Sequence, residues 1–434
     1  MRRRTLTTAL LTLAALAACR TPGSGSGSGP GSGHRLVTAE GVARESYAGP
    51  EPGPPVANLQ PGLAAFGHAL LSAVAEPRAN TVLSPLGIAY AYGMARAGAD
   101  PATGAGLDEV FGFPPEGPHA AFGTLSRVIA TTGEAPPVPA PAPDRETPRD
   151  ARQDPAPPVV HLAGGLFTAG DLAVRQEFLR VLAAHYGTGA HQVDFAADAV
   201  EVINAWAGER TAGRITKVFD LLDPATRLVL ASALHLKAEW AVPFTDPPEP
   251  GAVFTRADGT AVRTDLMRLE TELPYASGPG WQAAELAYAG GGLAMWVLLP
   301  APGGSPARLL APEALTRVRD GLERTRVRLA LPRWDFSTAL ELGPALEGLG
   351  LRSSGYPGIS DGLVLDRAVH GANITVDEWG TEAAAVTGLA FRLSAPPPAE
   401  AELRADRPFA FAVVHRPTLV PLFIGQVADP AATG

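Results

Sequence analysis

A single cysteine, Cys19, among 434 residues rules out a disulfide within the chain. Lysine is almost as scarce: Lys217 and Lys237 stand alone among 35 basic residues, a coding bias toward arginine that carries no functional signal. The local signatures of catalysis are missing as well. There is no G-x-S-x-G elbow, H-E-x-x-H helix, Walker loop or G-x-G-x-x-G fingerprint, so an enzyme reading gains no positive support, although triads can be distant in sequence. The nine histidines are scattered without metal-ligand spacing, and neither a metal nor a cofactor is expected. His370 and His415 are read as satisfying hydrogen bonds within the fold.

The apolar run near the start is too short to span a bilayer comfortably. It follows Arg2, Arg3 and Arg4 and ends in Leu16-Ala17-Ala18-Cys19, the flanks of a secretory signal closing on a bacterial lipobox. Residues 1–18 are therefore expected to be cleaved, with Cys19 lipidated and the protein exported to the outer face of a membrane. Cleavage leaves 32 basic against 44 acidic residues, a net charge of −12, which disfavours nucleic acid as a partner. Residues 19–55, with Ser24 to Gly33 almost entirely Gly and Ser, are expected to tether a folded body that starts at residue 56.

Within that body the pattern runs helices first, then mixed elements, then strands, which argues α+β architecture over a repeating βαβ wind. Leu63, Phe66, Leu70 and Val74 fall at helical spacing. Thr81 to Leu83 reads as a short strand, and Ser84-Pro85 opens a buried helix. Residues 133–158 hold nine prolines and no apolar period, the marks of a solvated insertion. Residues 172–187 and 197–215 read as amphipathic helices. "TRLVLASALHLKAEW" (226–240) reads as a central strand covered on both faces. Further strands are expected in 291–300, 325–334, 407–416 and 419–430, with a short helix in 341–351.

"GTEAAAVTGLAFRLSAPPPAE" (380–400) sets small residues ahead of a proline-rich stretch. Thr381-Glu382-Ala383-Ala384-Ala385 is compatible with a strand, and it is also how a short helix might begin.

The distributed motifs resemble the serpin family over roughly residues 56–434. "NTVLSPLGI" (80–88) looks like the family's strand leading into a Ser-Pro helix, and "NAWAGERTAGRI" (204–215) like the end of a later helix. "LHLKAEWAVPF" matches K-x-x-W-x-x-P-F through Lys237, Trp240, Pro243 and Phe244. "RPFAFAVVH" and "PLFIGQVADP" are similar to the two carboxy-terminal strands. The resemblance implies three β-sheets, a bundle of about eight to nine helices and an exposed reactive loop.

It implies further that residues 378–400 are the hinge and reactive loop, with Glu378, Gly380, Thr381, Glu382, Ala383, Ala384, Ala385, Val386 and Thr387 as the hinge. After a protease cuts the loop, the hinge side enters the large sheet as a new strand. Small residues fit that task, because a charge driven into the core costs several kcal/mol. Thr381, Ala383 and Ala385 fall on one face, and Glu382 and Ala384 on the other. About 15 inserted residues would carry the cut end about 50 Å. The scissile bond is expected at Ser394–Ala395, with Leu393 or Arg392 as alternatives, since the stretch to Pro408-Phe409 is longer than in typical members. Ser394 or Leu393 suggests an elastase-like or subtilisin-like serine protease as the covalent one-to-one partner of a monomer, whereas Arg392 suggests a trypsin-like one. Trp240 is expected at the breach, where the loop enters, and Ser84, Ser232 and His370 at the shutter beneath. Ser232 departs from the usual asparagine, and Gly87 from a common serine. The other reading of the same fold is a non-inhibitory carrier, chaperone or scaffold.

Overall fold

In the computed structural model, residues 34–45, 53–129, 155–352, 355–381 and 398–432 are described. The first half contains β1 (Arg35–Val37), α1 (Pro54–Val74), β2 (Thr81–Leu83), α2 (Pro85–Arg96), α3 (Pro101–Phe111), α4 (His119–Val128), β3 (Val159–Ala169), α5 (Gln176–Val181), β4 (Ala190–Val193), α6 (Ala199–Arg210) and β5 (Leu228–Glu239). The second runs β6 (Asp246–Thr255), β7 (Ala261–Gly278), β8 (Trp281–Ala287), β9 (Leu293–Pro300), α7 (Pro312–Gly321), β10 (Glu323–Pro332), β11 (Trp334–Glu341), α8 (Leu342–Gly348), β12 (Arg367–Val376), β13 (Gly380–Thr381), β14 (Ala401–Arg404), β15 (Phe409–His415) and β16 (Val420–Val427).

The architecture is the expected α+β, with eight α-helices among the described residues. One sheet has seven strands in the order β1-β4-β3-β5-β13-β12-β11; the other has nine, β14-β10-β7-β8-β9-β15-β16-β2 with β6 on β7. Among the described residues the expected three sheets thus form two hydrogen-bonded ones. The cause is β7, which pairs with β6 and β10 along most of its length and with β8 through Tyr275 to Gly278, joining what would otherwise be separate sheets.

Strand β5 is covered on both faces, as its nearly unbroken apolar run requires. Leu228, Leu230, Leu234 and Leu236 enter the main core, while Val229, Ala231 and Ala233 pack with Ile203, Trp206 and Ala207 of α6. Helix α2 starts where Ser84 Oγ accepts from Gly87 N at 3.0 Å, and Pro85 takes the first helical position, where no donor is needed. Its residues Pro85 to Ala95 are all buried.

Two boundaries differ from expectation. Helix α1 begins at Pro54, because Val56 and Leu59 extend the buried face ahead of Pro61. Residues 34–45, expected within the tether, lie along the body: β1 pairs antiparallel with β4, and Glu45 N donates to Ala184 O at 2.9 Å. An extended Arg-Leu-Val segment satisfies the free edge of β4, which a Gly/Ser linker would leave bare. Of the proline-rich 133–158, only 155–158 are described, and there Ala156 N donates to Glu239 Oε2 at 2.9 Å.

Candidate functional site: a parted sheet and the two residues between its strands

At one end, β5 and β12 pair directly in parallel, from Arg367↔Val229 to Gly371↔Ala233. Beyond that point they part, and at the far end Gly380 and Thr381 of β13 sit between them. Gly380 pairs with Glu239 and Thr381 with Ala238 on one side, and Thr381 with Val376 on the other. Among the described residues, nothing pairs with β5 and β12 between the closed end and these two residues, and backbone groups on such facing edges favour pairing.

The wedge is fixed by contacts that converge from four directions. Glu378 forms a bidentate ion pair with Arg333, and its carbonyl accepts from Phe244 N at 2.9 Å. Asp377 Oδ1 accepts from Trp379 N at 2.7 Å and Gly380 N at 3.1 Å, folding the chain back into the sheet. Burial pushes the Asp377 carboxyl up to about 7, against the pull of those two amides. Trp240 N donates to Trp379 O at 2.8 Å, and its indole Nε1 to Asp377 O at 3.0 Å. The indole stacks on Tyr288 with centroids 4.5 Å apart, and the Tyr288 hydroxyl bonds Thr381 Oγ1 at 2.6 Å. Burial raises the Tyr288 phenol, so it remains protonated. Gly380 is required by space: a Cβ there would lie 2.1 Å from Ala238 O.

Lower down, His370 is fully buried and joins three elements. Its Nε2 accepts from Ser84 N at 3.0 Å, which places the proton on Nδ1, and Nδ1–H donates to Ser232 Oγ at 2.8 Å. Burial pushes its pKa down to about 3, so the ring is neutral at physiological pH. Ser232 takes the acceptor place across the β5–β12 seam, and Gly87 leaves Ser84 Oγ to cap α2. His415, read as a structural histidine, bonds Thr418 Oγ1 at 2.8 Å.

Of the residues singled out in the sequence, Trp240, Glu378, Gly380 and Thr381 come together at the mouth of the slot, and Ser84, Ser232 and His370 at its closed end. Glu382, Ala383, Ala384, Ala385, Val386, Thr387, Arg392, Leu393, Ser394, Ala395 and Cys19 lie outside the described residues. Arg333, Asp377 and Tyr288 were not anticipated. Tyr288 is 93 positions from Thr381, and no local pattern signals that contact. No group of three or more metal-ligating side chains occurs among the described residues.

Solved structures with this fold include the thermophilic serpin tengpin in its native state, with TM-score 0.75 at 22% identity over 91% of this chain and 97% of that one. Human thyroxine-binding globulin aligns with TM-score 0.73 at 23% identity, over 87% and 100%. In sequence, an uncharacterised serpin-like protein of Thermococcus kodakarensis is 31% identical over 288 residues, 63% of this chain and 67% of the relative. Serpin A3-1 of Bos taurus is 32% identical over 286 residues, 62% and 68%. The family model described as serpin (serine protease inhibitor) matches residues 61–430, and the chain belongs to that family.

Proposed function

We propose that the protein is a suicide-substrate inhibitor of serine proteases, in which cleavage of the loop after Thr381 lets the hinge complete the sheet between β5 and β12. The observation that carries this reading is β13 itself, two residues seated at the mouth of a slot that is closed below. The register supports it. Continuing the two antiparallel ladders from Thr381 brings Thr387 between Ser232 and His370, the pair that now bonds across the seam. Insertion to that depth exchanges the Ser232–His370 hydrogen bond for two strand ladders. Thr381 faces the core, so Ala383 and Ala385 would follow it there by the two-residue period, where small apolar side chains carry no charge to desolvate.

In this scheme the target's serine attacks the loop, with Ser394–Ala395 as the favoured bond and an elastase-like or subtilisin-like enzyme as the favoured partner. Insertion then distorts the acyl-enzyme before water releases it. Export and a lipid on Cys19 would hold the inhibitor as a monomer at the cell surface. Incubation with elastase-, subtilisin- and trypsin-like proteases should give a denaturant-resistant one-to-one complex, with the cut site read by mass spectrometry. Ala383→Arg should convert trapping into simple cleavage; undiminished trapping by that variant overturns strand insertion. Cleaved chain should also melt at least about 10 °C higher than intact chain, since a new central strand is worth several kcal/mol. Clean cleavage with no complex and no such gain would assign the fold to a non-inhibitory carrier. For the anchor, Cys19→Ala should release the protein to the medium.

A further inference from the structure

A cavity of 610 Å³ lies beside the seven-stranded sheet, against β3 and thus one strand removed from the slot. Its walls come from β1 and the residues after it, from β3, from the π-helical segment Leu182–Tyr186 that follows α5 and the two residues beyond it, and from α6, with Tyr90 of α2 and Ser126 of α4. The charge of this lining is one-sided. Arg44 and Arg210 carry it, beside the imidazoles of His161 and His191, and no aspartate or glutamate lines the cavity among the described residues. Arg44 is held by Ser126, its Nη2 donating to Oγ at 2.7 Å. Arg210 has no such arrangement: its Nε is buried and has no hydrogen-bond partner among the described residues.

A guanidinium is permanently charged and carries five donors in a planar fork. A buried donor left without an acceptor is unfavourable, so a half-buried arginine whose Nε is buried, in a lining that holds no carboxylate, is a site that an anion would relieve. The two histidines cannot supply the acceptor charge. Burial holds both below their usual range, and the Arg210 charge lowers them further, leaving neutral rings beside it. The rest of the wall is not built for a bare inorganic ion. Leu36, Val42, Leu162 and Trp206 present aliphatic and aromatic surface to the same space. Its volume is that of ordinary small-molecule sites, which combine an apolar lining with a few placed polar groups.

We propose that this cavity binds an amphipathic organic monoanion, its carboxylate on the Arg210 guanidinium and its apolar body against Leu36, Val42, Leu162 and Trp206. The segment from Leu36 to Arg44 forms one wall, so the site depends on the N-terminal arm being docked through β1 and Arg44.

The test uses the intact, uncleaved full chain with decanoate as probe and decan-1-ol as its neutral counterpart, read by titration calorimetry and by quenching of Trp206 fluorescence against a Trp206→Phe control. Decanoate should bind with one-to-one saturation, at least tenfold tighter than the alcohol. Arg210→Gln should remove that preference while leaving the melting temperature within a few degrees, and Arg210→Lys should retain part of it. Equal affinity for acid and alcohol, no saturable binding of decanoate, or unchanged decanoate affinity in a folded Arg210→Gln chain overturns the proposal. Should Arg210→Gln fail to fold, the acid-against-alcohol comparison on the unaltered chain decides. No protease enters the assay, so its failure leaves the inhibitory reading untouched, and the reverse holds as well.

Discussion

His370 and Ser232 hold the seven-stranded sheet closed through one pair of side chains. The bond joins β5 to β12 across 138 positions of sequence, and it lies in the register where an inserted strand would pass. Ser232→Ala should lower stability by about 1–3 kcal/mol, because the buried Nδ1–H loses its acceptor; denaturant unfolding of the uncleaved chain measures this. Ser84, Ser232, His370 and Trp240 were legible in the sequence because each sits inside a quoted family motif or aligns with a position the family fixes. Arg333, Asp377 and Tyr288 were not. Their places come from contacts with Glu378, Gly380 and Thr381: Arg333 and Tyr288 reach them from distant segments, and Asp377 through a turn that carries no motif of its own.

Among the described strands, β13 is the shortest, at two residues. Adding one methyl at Gly380 would drive a Cβ to 2.1 Å from Ala238 O, so the two strands could no longer grip it. Gly380→Ala should therefore speed amide exchange at Ala238, Glu239 and Thr381 by at least tenfold, a change of about 1.4 kcal/mol in local opening. Unchanged protection there would mean that the wedge is not held by close packing. The central strand β5 was legible from its long apolar run, whereas β3 beside it was not. Gly164 and Gly165 interrupt the β3 pattern, and the reason is tertiary: a Cβ on Gly164 would meet Met94 Sδ of α2 at 2.7 Å. The edge strand β1 was hidden for a different reason. Three residues after a Gly/Ser run carry little pattern of their own, and only the free edge of β4 makes them a strand.

For the whole molecule, buried histidines set the response to acid. Burial pushes His370 down to about 3, and His119, His191, His235 and His415 down to about 4, from 6.5. An unfolded chain takes up protons near pH 6.5 that the folded chain refuses, so stability is full above that pH and is lost as pH falls toward 4. Asp377 acts in the opposite sense: raised to about 7, it favours the folded chain at low pH and loses that contribution as pH rises from about 4 to 7. One carboxyl does not offset five imidazoles, so the melting temperature should fall continuously between pH 6.5 and 4; a flat profile there would contradict the buried neutral histidines. By itself the sequence determined the α+β order, the family, the covered central strand and the run of small residues after Gly380, because periodicity and motifs are local properties of the chain. Only the tertiary structure decided that β5 and β12 close at one end and part at the other with Gly380 and Thr381 between them. Where two strands close and where they part depends on distant segments having already taken their places, and that information lies in their packing together.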